Sequence, residues 1–254
     1  MNQTLRQWLQ QSPFTLALSS GYFSLFAHCG MVSVLEEEGL FPVSISGASA
    51  GALIGVCWAA GCSTAELREI LFGLRKRDFW DPTPGFGLLK GERFRAFVAR
   101  VSPAHRLEHC RIPVSISTFD PLTWSTRVWT NGPLVDCVYA SCTVPLLFQP
   151  IRIEGRFCFD GGILDRAGLA GAPADARVLL HHIPVRRFVA GKSCNASLCL
   201  PKRQGMIAVS PLRLCPVDPN RLEAGRIAFR QAARSMSVAL DQPLRGAHCV
   251  VPVG

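Results

Sequence analysis

Residues 39–65 carry no charged side chain, and this stretch constrains the fold more than any other. It is long enough to suggest a membrane helix, but Pro42, Gly47, Gly51, Gly55 and Gly61 interrupt it. It divides instead into a short β-branched piece around Val43 and Ile45, a sharp turn at Gly47, and an apolar piece over 50–60. A helix that is apolar on every side must be buried. The sequence therefore predicts a buried strand at 43–46, a tight turn, and a buried helix at 50–60. With 254 residues, 48% hydrophobic and 18% charged, the chain has the apolar mass to enclose such a unit, and disordered or fibrous classes are excluded.

The turn reads Gly47-Ala48-Ser49-Ala50-Gly51, a G-x-S-x-G sequence in the strand–turn–helix setting that exposes a nucleophilic serine. A helix starting at Ala50 directs unpaired N–H groups and a partial positive charge at Ser49, which suits a developing oxyanion. The turn at 19–24 is the candidate for a second set of donors. Serine also needs a base. The histidines after it are His105, His109, His181, His182 and His248; the other candidate is Asp160, followed by Gly161 and Gly162. A plain Asp-Gly-Gly turn is the bland alternative. Only two strands precede Ser49, too few for the α/β-hydrolase order.

The remaining pattern alternates strand and helix. Residues 14–18 read as a strand, and 25–38 as a helix with Leu25, Cys29, Val32 and Leu35 on one face, stopped by Gly39. Ser63 and Thr64 before Glu66 open a helix running to about residue 74. Residues 75–91 read as a long loop, 92–100 as a helix, 113–119 and 126–130 as strands, and 134–140 as a helix that Pro145 must end. Strands 151–153 and 156–159 flank Glu154-Gly155 as a hairpin, and 178–183 is a further strand. Residues 219–240 predict a long helix with Leu222, Phe229, Ala233, Met236 and Leu240 on one face and Arg226, Arg230 and Arg234 on another. The class is α/β, in a single domain spanning 1–254.

Lys+Arg 27 against Asp+Glu 18 gives a net charge of +9, which favours anionic partners such as phospholipid headgroups. The arginines are dispersed and no recognition motif accompanies them, so nucleic acid is not an expected partner. Eleven scattered cysteines without a C-x-x-C pair argue against a disulfide framework or a zinc ribbon. No secretory-type apolar run opens the chain, so a cytoplasmic location is expected, open to peripheral membrane association. Phe79, Trp80 and Phe86 beside Arg75-Lys76-Arg77 suit a lipid surface or packing over a site mouth. His28, in a predicted helix, reads as a core histidine.

The Gly47-to-Gly51 turn, Asp160-Gly161-Gly162 about 110 residues later, His28 and Gly30 behind the 19–24 turn, and the intervening SCTVPLLF at 141–148 together resemble the patatin-like phospholipase family. The likeness covers about 14–183, leaving 218–241 as a helical extension. It implies a three-layer α/β/α sandwich with a mainly parallel central sheet, and a Ser-Asp dyad with Ser49 as nucleophile and Asp160 as general base. Gly21, Tyr22, Ser24 and Ala50 would form the oxyanion hole, with Gly47, Gly51, Gly161 and Gly162 as supporting motif glycines. The implied activity is a serine acyl-lipid hydrolase of phospholipase or lysophospholipase type. It would work through an acyl-serine on an acyl-lipid or phospholipid held in an apolar groove, with neither metal nor cofactor.

The chain departs from the family pattern in one loop. The family's run of glycines with a basic residue becomes Ser19-Ser20-Gly21-Tyr22-Phe23-Ser24, which keeps one clear glycine and has Phe23 at the basic position. Should Ser24 need a positive φ, the change costs about 1 kcal/mol. Two alternatives stay open: a catalytically weak or inactive lipid-binding protein, and a Ser-His-Asp esterase using His181, His182 or His248.

Overall fold

The structure, a computed structural model, describes residues 3–184, 188–189, 192–193, 200–244 and 248–252. Its helices are α1 (Leu5–Gln11), α2 (Leu25–Glu37), α3 (Ala50–Ala59), α4 (Thr64–Phe72), α5 (Glu92–Val101), α6 (Leu134–Ser141) and α7 (Gly225–Asp241). Its strands are β1 (Thr15–Leu18), β2 (Ser44–Ala48), β3 (Gly87–Leu89), β4 (Val114–Asp120), β5 (Ser125–Trp129), β6 (Leu146–Phe148) and β7 (Ile151–Ile153), followed by β8 (Arg156–Asp160), β9 (Val178–His181), β10 (Phe188–Val189), β11 (Lys192–Ser193), β12 (Met206–Leu212) and β13 (His248–Pro252).

Nine of these strands form one mixed sheet in the order β13-β12-β9-β1-β2-β4-β8-β7, with β5 also paired to β4. The run from β13 to β4 is parallel, as expected, but β5, β7 and β8 pair antiparallel. Two of these antiparallel pairs, β4–β5 and β7–β8, come from short local connections. Glu154 and Gly155, at φ 51° and 77°, join β7 to β8 in the tight hairpin predicted for them.

Strand alternation divides the interior. Leu16, Leu18, Leu179, Ile207 and Val209 enter a main core to which all seven described helices contribute, whereas Ala17, Leu180 and Ala208 enter a smaller cluster on the opposite face. Ala167, Leu169, Ala176 and Leu200 pack against that smaller cluster. Among the described residues this second outer layer is built of turns, so the layering is thicker on the helical side.

Several elements differ from the sequence expectation. α2 is buried on every side from Leu25 to Leu35 rather than along one face, because α7 closes over it. A Cβ at Gly30 would overlap the Phe229 carbonyl, so glycine there permits the close approach. α7 begins at Gly225 after a 3-10 turn at Leu222–Ala224, later than residue 219. Its buried stripe runs through Ala228, Phe229, Ala232, Met236 and Leu240; Leu222 and Ala233 are only partly buried, and Arg226, Arg230 and Arg234 are exposed. The C-terminal region is more than a helical extension, since β12 and β13 carry the sheet past residue 183. Residues 75–91 are not all loop: they hold a 3-10 turn at Lys76–Asp78 and the strand β3.

Candidate active site

β2 runs two residues further than expected, to Ala48, and delivers Ser49 between strand and helix at φ 53°, ψ −122°. A positive φ on a residue with a side chain is strained by about 1–3 kcal/mol and persists only when its surroundings fix it. Here the Ser49 N–H donates to Ser141 Oγ (2.8 Å), and Ser141 Oγ in turn donates to the Ser117 carbonyl (2.8 Å). Gly51 completes the elbow, because a Cβ there would overlap the Leu18 carbonyl of the neighbouring strand.

One strand indexes both halves of the site. Ala48 pairs with Ser117 of β4, and the next β4 residue, Thr118, pairs with Asp160 of β8. Ser49 and Asp160 are thereby adjacent, and Ser49 Oγ donates to Asp160 Oδ2 at 2.7 Å. The other carboxylate oxygen accepts the Gly162 N–H (2.7 Å). Gly161 lies on the Ser117 carbonyl and Gly162 under the Ser20 side chain, where a Cβ would collide. Burial pushes the Asp160 carboxyl above the ordinary aspartate value, against the opposing pull of Ser49, the Gly162 N–H and the Arg166 charge. Cys142 also lines the cavity, and burial beside Asp160 pushes its thiol up, so it stays protonated.

Gly21, Tyr22 and Ala50 border the same cavity. Ser24 does not. Both its N–H (3.1 Å) and its hydroxyl (2.9 Å) donate to the Gly21 carbonyl, so it closes the turn instead of facing the site. The left-handed residue of this loop is Phe23, at φ 52°, while Ser24 sits at φ −73°. The Ser20 N–H donates to the Arg166 carbonyl (2.8 Å), tying the loop to the segment that follows Asp160.

None of the histidines with described side chains lines the cavity. His28 is fully buried. Its Nε2–H donates to the Ser19 carbonyl (2.8 Å), and its Nδ1 lies 2.9 Å from His181 Nδ1. With His28 neutral, His181 is the donor of that pair. Burial pushes His28 down to about 4 and His181 well below its usual value. His182 Nδ1 lies 3.3 Å from Ser210 Oγ; His105 and His109 are exposed; the His248 side chain lies outside the described residues.

The cavity above Ser49 measures about 380 Å3 and is walled by Leu53, Phe79, Leu89, Phe94, Phe97 and Phe148. Asp160 and Arg166 are the charged residues among its lining. Of these walls the sequence singled out Phe79 alone, for packing over a site mouth, and it gave Ser141 and Arg166 no role. Ser141 heads the SCTVPLLF segment, but nothing local marks it as the partner of a backbone N–H 92 residues away.

The model of a family described as patatin-like phospholipase matches residues 16–173. The chain belongs to the patatin-like phospholipase family. An uncharacterized NTE family protein of Mycobacterium bovis is 32% identical over 170 residues, covering 64% of this chain and 47% of that protein. The neuropathy target esterase sws of Drosophila melanogaster is 26% identical over 198 residues, covering 73% of this chain and 13% of the esterase. VipD from Legionella pneumophila has a similar fold at a TM-score of 0.66 and 15% identity, covering 91% of this chain and 67% of VipD. The chain thus spans less than half the length of the curated relatives named here. In this patatin-like chain no described helix is long and apolar enough to cross a membrane.

Proposed function

We propose that this chain is a serine hydrolase of acyl-lipid esters that works as one patatin-like unit through a Ser49–Asp160 dyad. The observation that carries the reading is the 2.7 Å hydrogen bond from Ser49 to a buried carboxylate, opening on an apolar cavity. A carboxylate is a weak base for an alcohol, and burial strengthens it by destabilising its charged form. As Ser49 Oγ attacks the ester carbonyl carbon, its proton passes to Asp160. The oxyanion is met by backbone N–H groups of Gly21, Tyr22 and Ala50 together with the positive end of α3. The ester C–O bond then breaks, and Asp160 returns the proton to the departing alcohol. Water attacks the acyl-serine by the same route, giving a fatty acid and free Ser49.

The acyl chain fits the aromatic and aliphatic walls, whose apolar area provides binding and excludes competing water. A second reading, a lipid-binding protein with weak or no turnover, draws on the altered loop with Phe23 at the basic position. Fluorophosphonate labelling combined with hydrolysis of short-chain nitrophenyl esters and lysophospholipids separates the two. Labelling that is lost in Ser49→Ala, with turnover lost in Asp160→Asn, supports the hydrolase; an unlabelled wild-type chain refutes it.

A further inference from the structure

A short ribbon beside the site carries two unlike surfaces. β3 and β6 pair in parallel, Gly87 opposite Leu146 and Leu89 opposite Phe148. Leu89 and Phe148 line the Ser49 cavity, but their neighbours stand in water: Leu88 is 51% exposed, Leu146 84% and Phe86 90%. The backbone that carries these side chains is held in place. The Thr83 N–H donates to the Leu88 carbonyl (3.0 Å), the Gln149 N–H to the Leu89 carbonyl (2.9 Å), and the Leu147 and Phe148 N–H groups to the Val144 carbonyl (3.1 and 3.0 Å). Leu146 sits at φ 67°, a strained conformation for a bulky residue, so the backbone bears strain while presenting an apolar side chain to solvent. Fixed, contiguous apolar exposure marks a surface that meets something apolar.

Charge says what kind of partner that is. Arg75, Arg77, Lys90 and Arg93 are exposed in the same segment of chain. Over 75–93 five cations, Arg75, Lys76, Arg77, Lys90 and Arg93, stand against three acids, Asp78, Asp81 and Glu92, and Glu92 is paired with Lys90 at 2.8 Å, so the segment stays net positive. Apolar side chains beside cations, on a chain of net charge +9, complement a surface that is apolar beneath and anionic above. We propose that this ledge docks the protein on an anionic lipid surface, with Phe86, Leu88 and Leu146 entering the acyl layer and the cavity opening beside them. The inference deepens the lipid-ester reading, and rests on it only for what the cavity does.

The test is therefore independent of turnover. Binding to phosphatidylcholine vesicles with and without phosphatidylglycerol is measured by co-sedimentation on Ser49→Ala protein, with and without Phe86→Ser and Leu146→Asn. Asparagine tolerates the positive φ at residue 146. Expected are binding that requires the anionic lipid, weakening by about tenfold or more in the double variant, and loss at high salt. With Ser49 intact, the double variant keeps wild-type turnover of a soluble short-chain ester. Absent binding, or binding unchanged by the double variant, overturns the proposal. So does a wild-type dimer that the double variant makes monomeric while vesicles stay unbound, since the ledge then joins two copies. Variant-sensitive vesicle binding by a chain without ester turnover upholds the ledge and sinks only the hydrolase reading.

Discussion

Replacing Ser141 with alanine removes one oxygen that serves two buried groups, the Ser49 N–H and the Ser117 carbonyl. Ser141 itself is fully buried. An orphaned buried donor or acceptor costs about 1–3 kcal/mol, and the space left by one oxygen is too small to admit a water. Partial relaxation brings the two together to about 2–4 kcal/mol. At about 2–4 °C per kcal/mol for a chain of this size, Tm falls by about 4–16 °C. The same bond holds the elbow at its strained φ, so relaxation swings Ser49 Oγ away from Asp160. A misplacement of that order lowers kcat about 10–100-fold. KM for a short-chain ester stays within about twofold, because the cavity walls are untouched. Thermal melts and steady-state kinetics on Ser141→Ala measure both effects. Ser33→Ala is the control: this buried serine donates to the Gly30 carbonyl, away from the cavity, so its loss lowers Tm but not kcat. If both variants lose stability and both keep full kcat, the elbow does not depend on Ser141 and the reasoning is wrong.

Asp160→Asn lowers turnover by at least about a hundredfold while raising Tm at neutral pH. The raised pKa of Asp160 means its contribution to stability is present below the unfolded value and lost as pH rises through the folded one, so removing the buried charge stabilises. For the same reason the acid limb of kcat/KM in the wild-type chain lies above the ordinary aspartate range, and a limb at or below that range refutes the base assignment. Gly161→Ala drives a Cβ into the Ser117 carbonyl and removes turnover, whereas Gly155→Ala meets no neighbour and costs only the roughly 1 kcal/mol of its positive φ. Below pH 6.5 and down to about 4, the unfolded chain binds protons at His28 and His181 that the folded pair refuses, so stability falls with acid. A Tm–pH slope unchanged in His28→Gln would contradict this.

Much of the Ser49 side of the site was legible because it is local. The elbow, its helix and the Ser63–Glu66 capping box, realised with both bonds, are short-range patterns. α1 escaped notice although Thr4 and Gln7 spell a capping box of the same kind, which the structure also forms. β3 and β6 were missed for a different reason: each is three residues long and exists only because the other, about 60 residues away, pairs with it. β12 was obscured by Pro211. That residue lies beyond the stretch paired with β9, so its missing N–H breaks no bond to that strand. Ser24 misled because a loop's backbone path decides which residue takes the left-handed turn, and the path favoured Phe23.

β4 works as a ruler. Neighbouring marks on it, Ser117 and Thr118, position the strand that ends before the alcohol and the strand that ends in the acid. Chain length elsewhere is consequently free to vary: loops between the elbow and β4, or between β4 and β8, can be lengthened, shortened or exchanged without parting the two groups. Removing a single residue from within β4 would do what dozens added outside it would not.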